Sequence, residues 1–465
     1  MSSRFGKEAE ALAQWPLSQR ASALKRIVPR SVVKQVLREC GLHGFCPRLP
    51  GWLVIWIVIG LGLFCRDSCR QIYRWFCPWS SGRRRRRRQQ QQGVPGRSTL
   101  CEARKRIGVA PLVRLARRTI VPLATTEEKT PGAFYCGKRL MCLDGFVLNV
   151  PDSPANARVF GRPGGPSPGA FPQVRTLALC EAGTHAMLHW IAKPQRISEV
   201  AMVPALLKRL PAGSLLLWDQ NFRGYDLVQR VIAAGADLLG RGRTDAHLTP
   251  LRRLSDGSYL AKLYRTAKDR RDDRDGLIVR VIDYVLNDPG REQCGKPQRL
   301  ITTLLDPKAH PATQLVELYH VRWEEELAID EIKTHEMQRP VLRSQTPAGV
   351  IQELWGLMLS HYVLRSLMAQ AAQQASVAPT QLSFTATLKI LQCRLPSWPA
   401  APAAQRNWWR QLIEEIAAER LEPRRNRINP RVIRQQRSKW PRKREKHRHW
   451  PQPVHEFRDS IVIRR

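Results

Sequence analysis

The stretch "YHVRWEEELAIDEIK", Tyr319–Lys333, places three consecutive glutamates in a chain that is otherwise strongly basic. Drawn on an α-helix at about 100° per residue, four polar side chains fall within a stripe of roughly 60°: Tyr319, Arg322, Glu326 and Lys333. Of the three glutamates, only Glu326 shares this face. Apolar residues line the neighbouring arc and can hold the helix against a core: Leu318, Val321, Ala328, Ile329 and Ile332.

This stripe has two chemical interpretations. A carboxylate can hold a divalent metal, while arginine, lysine and tyrosine can bind phosphate, so the four residues together predict a metal-and-phosphate site. The alternative is a solvated helix face with ion pairs between neighbouring turns, which is common on protein surfaces. The spacing alone does not separate the two.

Two further acids favour the metal site. Asp144 lies within "RLMCLDGFVLNV" (139–150), a pattern that predicts strand, turn, strand. Asp219 ends the apolar run of "GSLLLWDQNF" (213–222), where open α/β sheets place their ligands. Together with Glu326, these acids could hold two Mg²⁺ ions about 3.5–4 Å apart. One ion activates a water or a 3′-hydroxyl, and the other stabilises the leaving oxygen of an in-line displacement at phosphorus.

The overall charge indicates a polyanionic partner. The 465 residues carry a formal net charge of +38. Nucleic acid is the first candidate, because Lys and Arg neutralise backbone phosphates, and a membrane surface is the second. A basic protein without such a partner is the remaining alternative. The 11 cysteines include no CxxC pair, which favours a reduced cytoplasm over a disulfide scaffold or a zinc site.

One apolar run, "LPGWLVIWIVIGLGLFC" (49–65), could be read as a membrane anchor. A spanning helix needs about 20 apolar residues, and this run is shorter and interrupted by Pro50 and several glycines. We therefore expect a buried helix. The start of the chain does not have the pattern of a signal peptide.

A low-complexity block, "GRRRRRRQQQQG" (82–93), cannot bury itself. It is typical of a solvated linker, and equally of a loop that contacts phosphate. The basic tail "PRRNRINPRVIRQQRSKWPRKREKHRHW" (423–450) is likewise expected to be extended and suited to phosphate.

These residues resemble the insertion sequence 4 family of bacterial transposases. The spacing of Tyr319, Arg322, Glu326 and Lys333 is similar to the Y-(2)-R-(3)-E-(6)-K signature of that family. "LDGFVLNVPDSPANARVFGRPG" resembles its first-aspartate block and "LLLWDQNF" its second, which makes Asp144 and Asp219 the first two acids. The resemblance covers most of residues 20–445.

The resemblance implies an α/β fold with an RNase H-like catalytic core, in which helices flank a mixed sheet, together with a β insertion and a helical N-terminal domain. The implied parts are a helical DNA-binding domain at 1–80, an Arg/Gln-rich linker at 81–96, a basic helical segment at 97–130, the catalytic core at 131–242 and 301–378, the β insertion at 243–300, and a helical segment with a basic tail at 379–465.

The family also implies an activity. Such an enzyme binds the terminal inverted repeats of its element, nicks them with Mg²⁺ (two ions, with Mn²⁺ as a substitute), and lets the freed 3′-hydroxyl attack target DNA. The implied catalytic metal ligands are Asp144, Asp219 and Glu326, and the implied phosphate contacts beside the cut are Tyr319, Arg322 and Lys333. The partners would be double-stranded DNA and a second copy of the chain bound on DNA, without a membrane, in the bacterial cytoplasm and associated with the nucleoid.

Departures from the family pattern leave a second interpretation open. Glu325 stands where the family is commonly apolar, and the block at 82–93 has no counterpart that we can place. The chain could therefore be a catalytically inactive, regulatory DNA-binding protein of the same ancestry.

Several other residues are weaker candidates for the site. Asp330 and Glu331 are expected to be solvated charges away from the catalytic stripe. His185 and His189 lie on a β-rich stretch and are expected to be structural. Trp323 is expected in the core, although its ring could also stack on a displaced base.

Overall fold

The computed structural model describes residues 24–42, 49–76, 94–164, 169–222, 224–246, 248–291, 293–399, 401–422, 444–445 and 449–464, with only the backbone for Glu325. The block at 82–93 and most of the basic tail lie outside the described residues. The chain divides into two compact units. The first comprises Met1–Phe134, Gly145–Glu199 and Glu326–Leu421, and the second comprises Tyr135–Asp144, Val200–Glu325 and Glu422–Arg465.

The described helices are α1 (Arg30–Glu39), α2 (Gly51–Leu63), α3 (Cys69–Phe76), α4 (Arg97–Ile107), α5 (Ala110–Thr119), α6 (Pro154–Phe160), α7 (Glu199–Leu207), α8 (Tyr225–Ala233), α9 (Ala267–Arg271), α10 (Ala312–Tyr319), α11 (Trp323–Asp330), α12 (Pro347–Ala375), α13 (Phe384–Arg394) and α14 (Pro402–Ala418). The described strands are β1 (Phe134–Tyr135), β2 (Lys138–Asn149), β3 (Gln173–Glu181), β4 (Ala186–Pro194), β5 (Ser214–Trp218), β6 (Asp237–Arg241), β7 (Pro250–Arg253), β8 (Tyr259–Leu263), β9 (Leu277–Leu286), β10 (Gln298–Thr302) and β11 (Ile461–Ile463).

The apolar run forms α2 of the first unit, and every residue of this helix except Trp52 is buried. The guanidinium of Arg30 lies 4.1 Å from the centre of the Trp52 ring and covers it. The long helix α12 approaches so closely that a Cβ at Gly356 would lie 2.3 Å from the carbonyl oxygen of Val58. The prediction of a buried helix is confirmed. Among the residues that the structure describes, no helix is both long and apolar enough to cross a bilayer.

The first unit also contains the antiparallel pair β3 and β4. Its longest helix, α12, begins with two features typical of a helix start. The side chain of Thr346 accepts a hydrogen bond from the backbone N–H of Gly349, and Pro347 occupies the first turn. Helices α13 and α14 pack against α12 and complete the helical part of the unit.

The second unit is built on a mixed sheet. The strand order is β2–β5–β6–β10–β9–β8–β7, with β11 beside β9. The part of β2 that precedes Gly145 pairs in parallel with β5, and β5 pairs in parallel with β6. The remaining pairs, from β6 to β7, are antiparallel. Strands β7 to β9 fall in the range predicted as a β insertion, and here they extend the same sheet. The predicted α/β class is confirmed.

The prediction of strand, turn, strand around Asp144 is wrong. Strand β2 runs without a break from Lys138 to Asn149. Gly145, which suggested a turn, lies within the strand. A side chain there would collide with Glu199, since a Cβ at Gly145 would lie 2.4 Å from the carboxyl carbon of Glu199. Gly145 therefore allows a close approach inside the first unit, which is a frequent reason for glycine within a strand.

The stretch Tyr319–Lys333 is not one uniform α-helix. Helix α10 ends at Tyr319, a 3₁₀ turn follows at His320–Arg322, α11 runs from Trp323 to Asp330, and Glu331–Glu336 forms a π-helical segment. A constant 100° per residue therefore does not apply along the whole stretch, and the common face of the four polar residues stays a prediction. Short 3₁₀ and π segments often mark functional parts of helices.

Candidate active site

Two predicted acids lie next to each other in the second unit. Leu143 of β2 pairs with Trp218 of β5 as the last parallel pair of this register, and Asp144 and Asp219 are the residues that follow. Neighbouring strands are about 4.8 Å apart. Asp219 stands at the carboxyl end of β5 and is half-buried, while the side chain of Asp144 is 24% exposed. The sheet backbone thus places both carboxylates at the carboxyl end of β5.

Tyr319 supports the end of β5. Its side chain is buried, and its hydroxyl donates a hydrogen bond of 3.2 Å to the carbonyl oxygen of Trp218. Burial raises the pKa of Tyr319, so the phenol stays neutral. The Tyr319 hydroxyl was expected to contact phosphate. In the structure it binds the carbonyl of Trp218, the residue before Asp219, and the phosphate contact stays a prediction.

Arg322 brings a positive charge to the same edge. The side chain is 9% exposed, and its Nη1 lies 3.9 Å from Oδ2 of Asp144. The guanidinium also lies 5.9 Å from the ring centre of Tyr319 and 5.7 Å from that of Trp323. These rings restrict where the guanidinium can go. Trp323 was predicted to lie in the core, and its side chain is half-buried.

The remaining predicted site residues belong to the first unit. Glu326 is a half-buried residue of α11, and Lys333 is an exposed residue of the π-helical segment. Glu324 is half-buried and falls in the second unit, as does Glu325. The structure thus brings Asp144, Asp219, Tyr319 and Arg322 together.

The donor chemistry at the edge of β5 fits a hard divalent cation. Carboxylate oxygens are the ligands that Mg²⁺ takes in proteins, and Asp144 and Asp219 supply them from adjacent backbone positions. Within the described residues, no group of three or more His, Cys, Asp or Glu side chains is close enough to hold a metal ion. The two aspartates would therefore form part of a metal site that is completed by further oxygens.

Glu331 is not the solvated charge that the sequence suggested. It is buried, and three basic side chains contact its carboxylate. Nδ1 of His185 lies 2.9 Å from Oε1, Nε2 of His361 lies 3.0 Å from Oε2, and Nε of Arg365 donates a hydrogen bond of 2.9 Å to Oε2. Burial alone raises the pKa of Glu331, but the charge of Arg365 and the hydrogen bond from His185 hold this pKa well below its usual range. The group is an internal ion-pair network of the first unit.

A second buried acid lies five residues further along. Glu336 ends the π-helical segment, and the hydroxyl of Ser360 donates to its carboxylate. Burial raises the pKa of Glu336 well above its usual range, and the negative charge of Glu331 raises this pKa further. One signal in the sequence could have indicated the burial of Glu331, which lies among Ala328, Ile329 and Ile332.

A family model described as "Transposase DDE domain" matches residues 135–363, and one described as "Insertion element 4 transposase N-terminal" matches residues 18–117. The first range contains Asp144, Asp219 and Glu326.

Two curated relatives come from Escherichia coli (strain K12). "Transposase InsG for insertion sequence element IS4" is 27% identical over 400 residues, which cover 85% of this chain and 87% of the relative. "Putative transposase InsZ" is 27% identical over 183 residues, which cover 39% of this chain and 57% of the relative.

One similar solved structure is "Cryo-EM structure of piggyBac transposase synaptic complex with hairpin DNA (SNHP)". The likeness has a TM-score of 0.39 and 12% identity, and covers 86% of this chain and 85% of that one.

Proposed function

The chain belongs to the insertion sequence 4 family of DDE transposases, and from this premise we propose that Asp144, Asp219 and Glu326 hold the metal with which it cuts DNA. It is an enzyme acting on DNA, with an RNase H-like α/β core and dependence on a divalent metal. The finer activity proposed is recognition of the terminal inverted repeats, strand cleavage at them, and transfer of the freed 3′ ends to target DNA.

The single observation that supports the assignment of the acids is the register of β2 and β5. It sets Asp144 and Asp219 beside each other at the carboxyl end of β5, as the first two acids of such a site require. Glu326 is the third acid by its position in the signature. We propose Mg²⁺ as the natural ion, in two copies, because its preferred ligands are carboxylate and phosphate oxygens.

The four site residues of the second unit have different proposed roles. Asp144 and Asp219 bind the ion, Tyr319 fixes the carbonyl before Asp219, and Arg322 lies against Asp144, where it can also grip a phosphate bidentately. When bound, the ion supplies Lewis acidity at the phosphoryl oxygens and lowers the pKa of a coordinated water. Lys333, exposed in the first unit, contributes a point charge for phosphate.

The test is a cleavage assay on supercoiled plasmid that carries the ends of the element. Wild type, Glu326→Gln and Glu324→Gln are compared in Mg²⁺ and in EDTA, after DNA binding of all three has been measured. We expect cuts at the ends that require metal, are lost in Glu326→Gln and persist in Glu324→Gln. Continued cutting by Glu326→Gln would contradict the assignment of the third acid.

The same assay decides the alternative of an inactive, regulatory copy. Such a protein would bind the ends with strong salt dependence and cut them in neither Mg²⁺ nor Mn²⁺. We further propose that the active form is a homodimer on double-stranded DNA, which mass photometry with and without the end sequence would show. A location in the bacterial cytoplasm, on the nucleoid, follows from these partners and is tested by fluorescence imaging of the tagged protein.

A further inference from the structure

The first unit contains a large basic groove of about 1160 Å³. Four cationic side chains line it: Arg66, Lys333, Arg339 and Lys389. They come from three separate segments, since Arg66 follows α2, Lys333 and Arg339 belong to the π-helical segment and the loop after it, and Lys389 lies on α13. We call this cavity the basic groove.

The charges of the basic groove are not balanced by the protein. Among the residues that the structure describes, no carboxylate forms an ion pair with any of the four cations. Asp67 is the acid in the lining, and its Oδ2 accepts a hydrogen bond of 2.7 Å from the indole N–H of Trp75. Arg66, Lys333 and Lys389 are exposed, and Arg339 is half-buried. Like charges held in one cavity attract an anion, whose binding relieves their mutual repulsion.

The walls of the basic groove are fixed by contacts inside the first unit. Arg343 donates to the carbonyl oxygens of Leu61, Cys65 and Asp67, which holds the end of α2 and the turn after it. The rings of Phe64 and Trp75 are stacked at 5.1 Å, with 10° between their planes. The groove is thus shaped before any ligand arrives, and little ordering is needed on binding.

We propose that the basic groove binds the sugar-phosphate backbone of DNA that continues past Lys333, with Arg66, Arg339 and Lys389 as further phosphate contacts. The inference rests on the proposed function, because it takes Lys333 as a contact beside the cut. Four cations from three segments line one cavity of about 1160 Å³, and none forms an ion pair with a described carboxylate, which suits a repeating polyanion better than a single small anion. It also assigns DNA binding to α13, which lies outside both matched ranges, 18–117 and 135–363.

The first test is DNA binding as a function of salt. A short fluorescein-labelled duplex of the terminal sequence of the element is titrated with wild type and with the double variant Arg339→Ala/Lys389→Ala. Each lost phosphate contact lowers the slope of log affinity against log salt by about 1, so the double variant should lose about 2. Binding should weaken on every duplex sequence, because phosphate contacts carry no base information.

The matched control is Arg158→Ala/Lys193→Ala, which removes an arginine and a lysine that are exposed in the first unit but outside the basic groove. An unchanged slope in the control and a reduced slope in the groove variant support the proposal. Equal losses in both variants, or none in the groove variant, overturn it. Glu326 is untouched in these proteins, so a failure of the groove is distinct from a failure of the catalytic assignment, which is tested by cleavage in Glu326→Gln.

A second test uses a native thiol of the basic groove. Cys393 is exposed and lines the cavity. A duplex that carries an activated disulfide on a backbone phosphate should exchange with the Cys393 thiolate, forming a protein–DNA disulfide and releasing the small thiol. The cross-link is expected in wild type and in Cys101→Ser, and it should vanish in Cys393→Ser. A cross-link of equal yield in Cys393→Ser would place the DNA elsewhere.

Discussion

Glu331 and Arg365 form a buried ion pair in the first unit, with Nε of Arg365 2.9 Å from Oε2 of Glu331. The acid stands five residues after Glu326 and two before Lys333, so the same short segment carries a fixed internal charge between two predicted functional residues. His185 and His361 complete its surroundings. Through His185, the π-helical segment contacts the turn before β4, and through His361 and Arg365 it contacts α12.

Glu331→Gln should destabilise the first unit strongly. It removes the negative charge but leaves Arg365 buried, and breaking a buried ion pair in this way costs about 3–5 kcal/mol. Urea unfolding followed by circular dichroism measures the change. The control Glu324→Gln, a half-buried acid of the second unit, should change the free energy of unfolding much less. Equal stability of Glu331→Gln and wild type would show that the network is not intact in solution.

The contribution of Glu331 should depend on pH. Its folded-state pKa lies well below the ordinary value of 4.5, so the stabilisation is fully present above that value and is lost as the pH falls through the lowered pKa. Wild type should therefore lose more stability than Glu331→Gln when unfolding is measured at successively lower pH. Parallel stability curves of the two proteins would exclude an ionised Glu331.

Glu336→Gln should stabilise the protein, whereas Glu331→Gln should destabilise it. Burial raises the pKa of Glu336 well above its ordinary value of 4.5, so the group favours the folded state at low pH, and that contribution is lost as the pH rises. A glutamine resembles the protonated acid and cannot ionise. We expect the variant to be more stable than wild type near neutral pH, with the difference growing as pH increases. The readout is the midpoint of urea unfolding over a pH series, and a variant that is less stable throughout would contradict the shift.

Tyr319→Phe separates support of β5 from contact with DNA. The substitution removes the hydrogen bond to the Trp218 carbonyl, worth about 1 kcal/mol. If positioning is its role, cleavage should fall while affinity for the duplex stays the same. A drop in affinity with the salt slope reduced by about 1 would instead identify a phosphate contact.

Arg322→Gln should have opposite effects on metal binding and on cleavage. The guanidinium lies 3.9 Å from Oδ2 of Asp144 and competes with a cation for that carboxylate. Its removal should tighten Mn²⁺ binding, as measured by electron paramagnetic resonance, while cleavage falls because phosphate is held less well. Arg265→Gln, which removes an exposed arginine paired with Asp226, serves as the control and should change neither quantity. Weaker Mn²⁺ binding in Arg322→Gln would contradict this arrangement.

Some of this arrangement was accessible from the sequence because it follows from local pattern. An apolar run that stops at an acid predicted the end of β5 and Asp219, and the length and composition of residues 49–65 predicted the buried α2. Assignment of the acids to a metal site came from the resemblance, and it stays a prediction to be tested by cleavage.

The rest depends on contacts between segments far apart in the chain. Glu331 looked solvated because neither Arg365 nor His185 is near it in sequence, and only the fold brings them to its carboxylate. The glycine at position 145 suggested a turn. It is needed because the side chain of Glu199, which belongs to another element, packs against it, and the sequence does not show this contact. The change from 3₁₀ to α to π between His320 and Glu336 has no local signature, so a helical wheel with one fixed angle could not describe it.

The π-helical segment at Glu331–Glu336 lets this part of the chain tolerate a change of length. A π turn holds one residue more than an α turn, so the extra residue takes up the rotation of about 100° that it would add to an α-helix. Loss of a single codon there could therefore leave a regular α turn, with the chain on either side in its present orientation. The change would fall on the segment itself, which carries the buried acids Glu331 and Glu336.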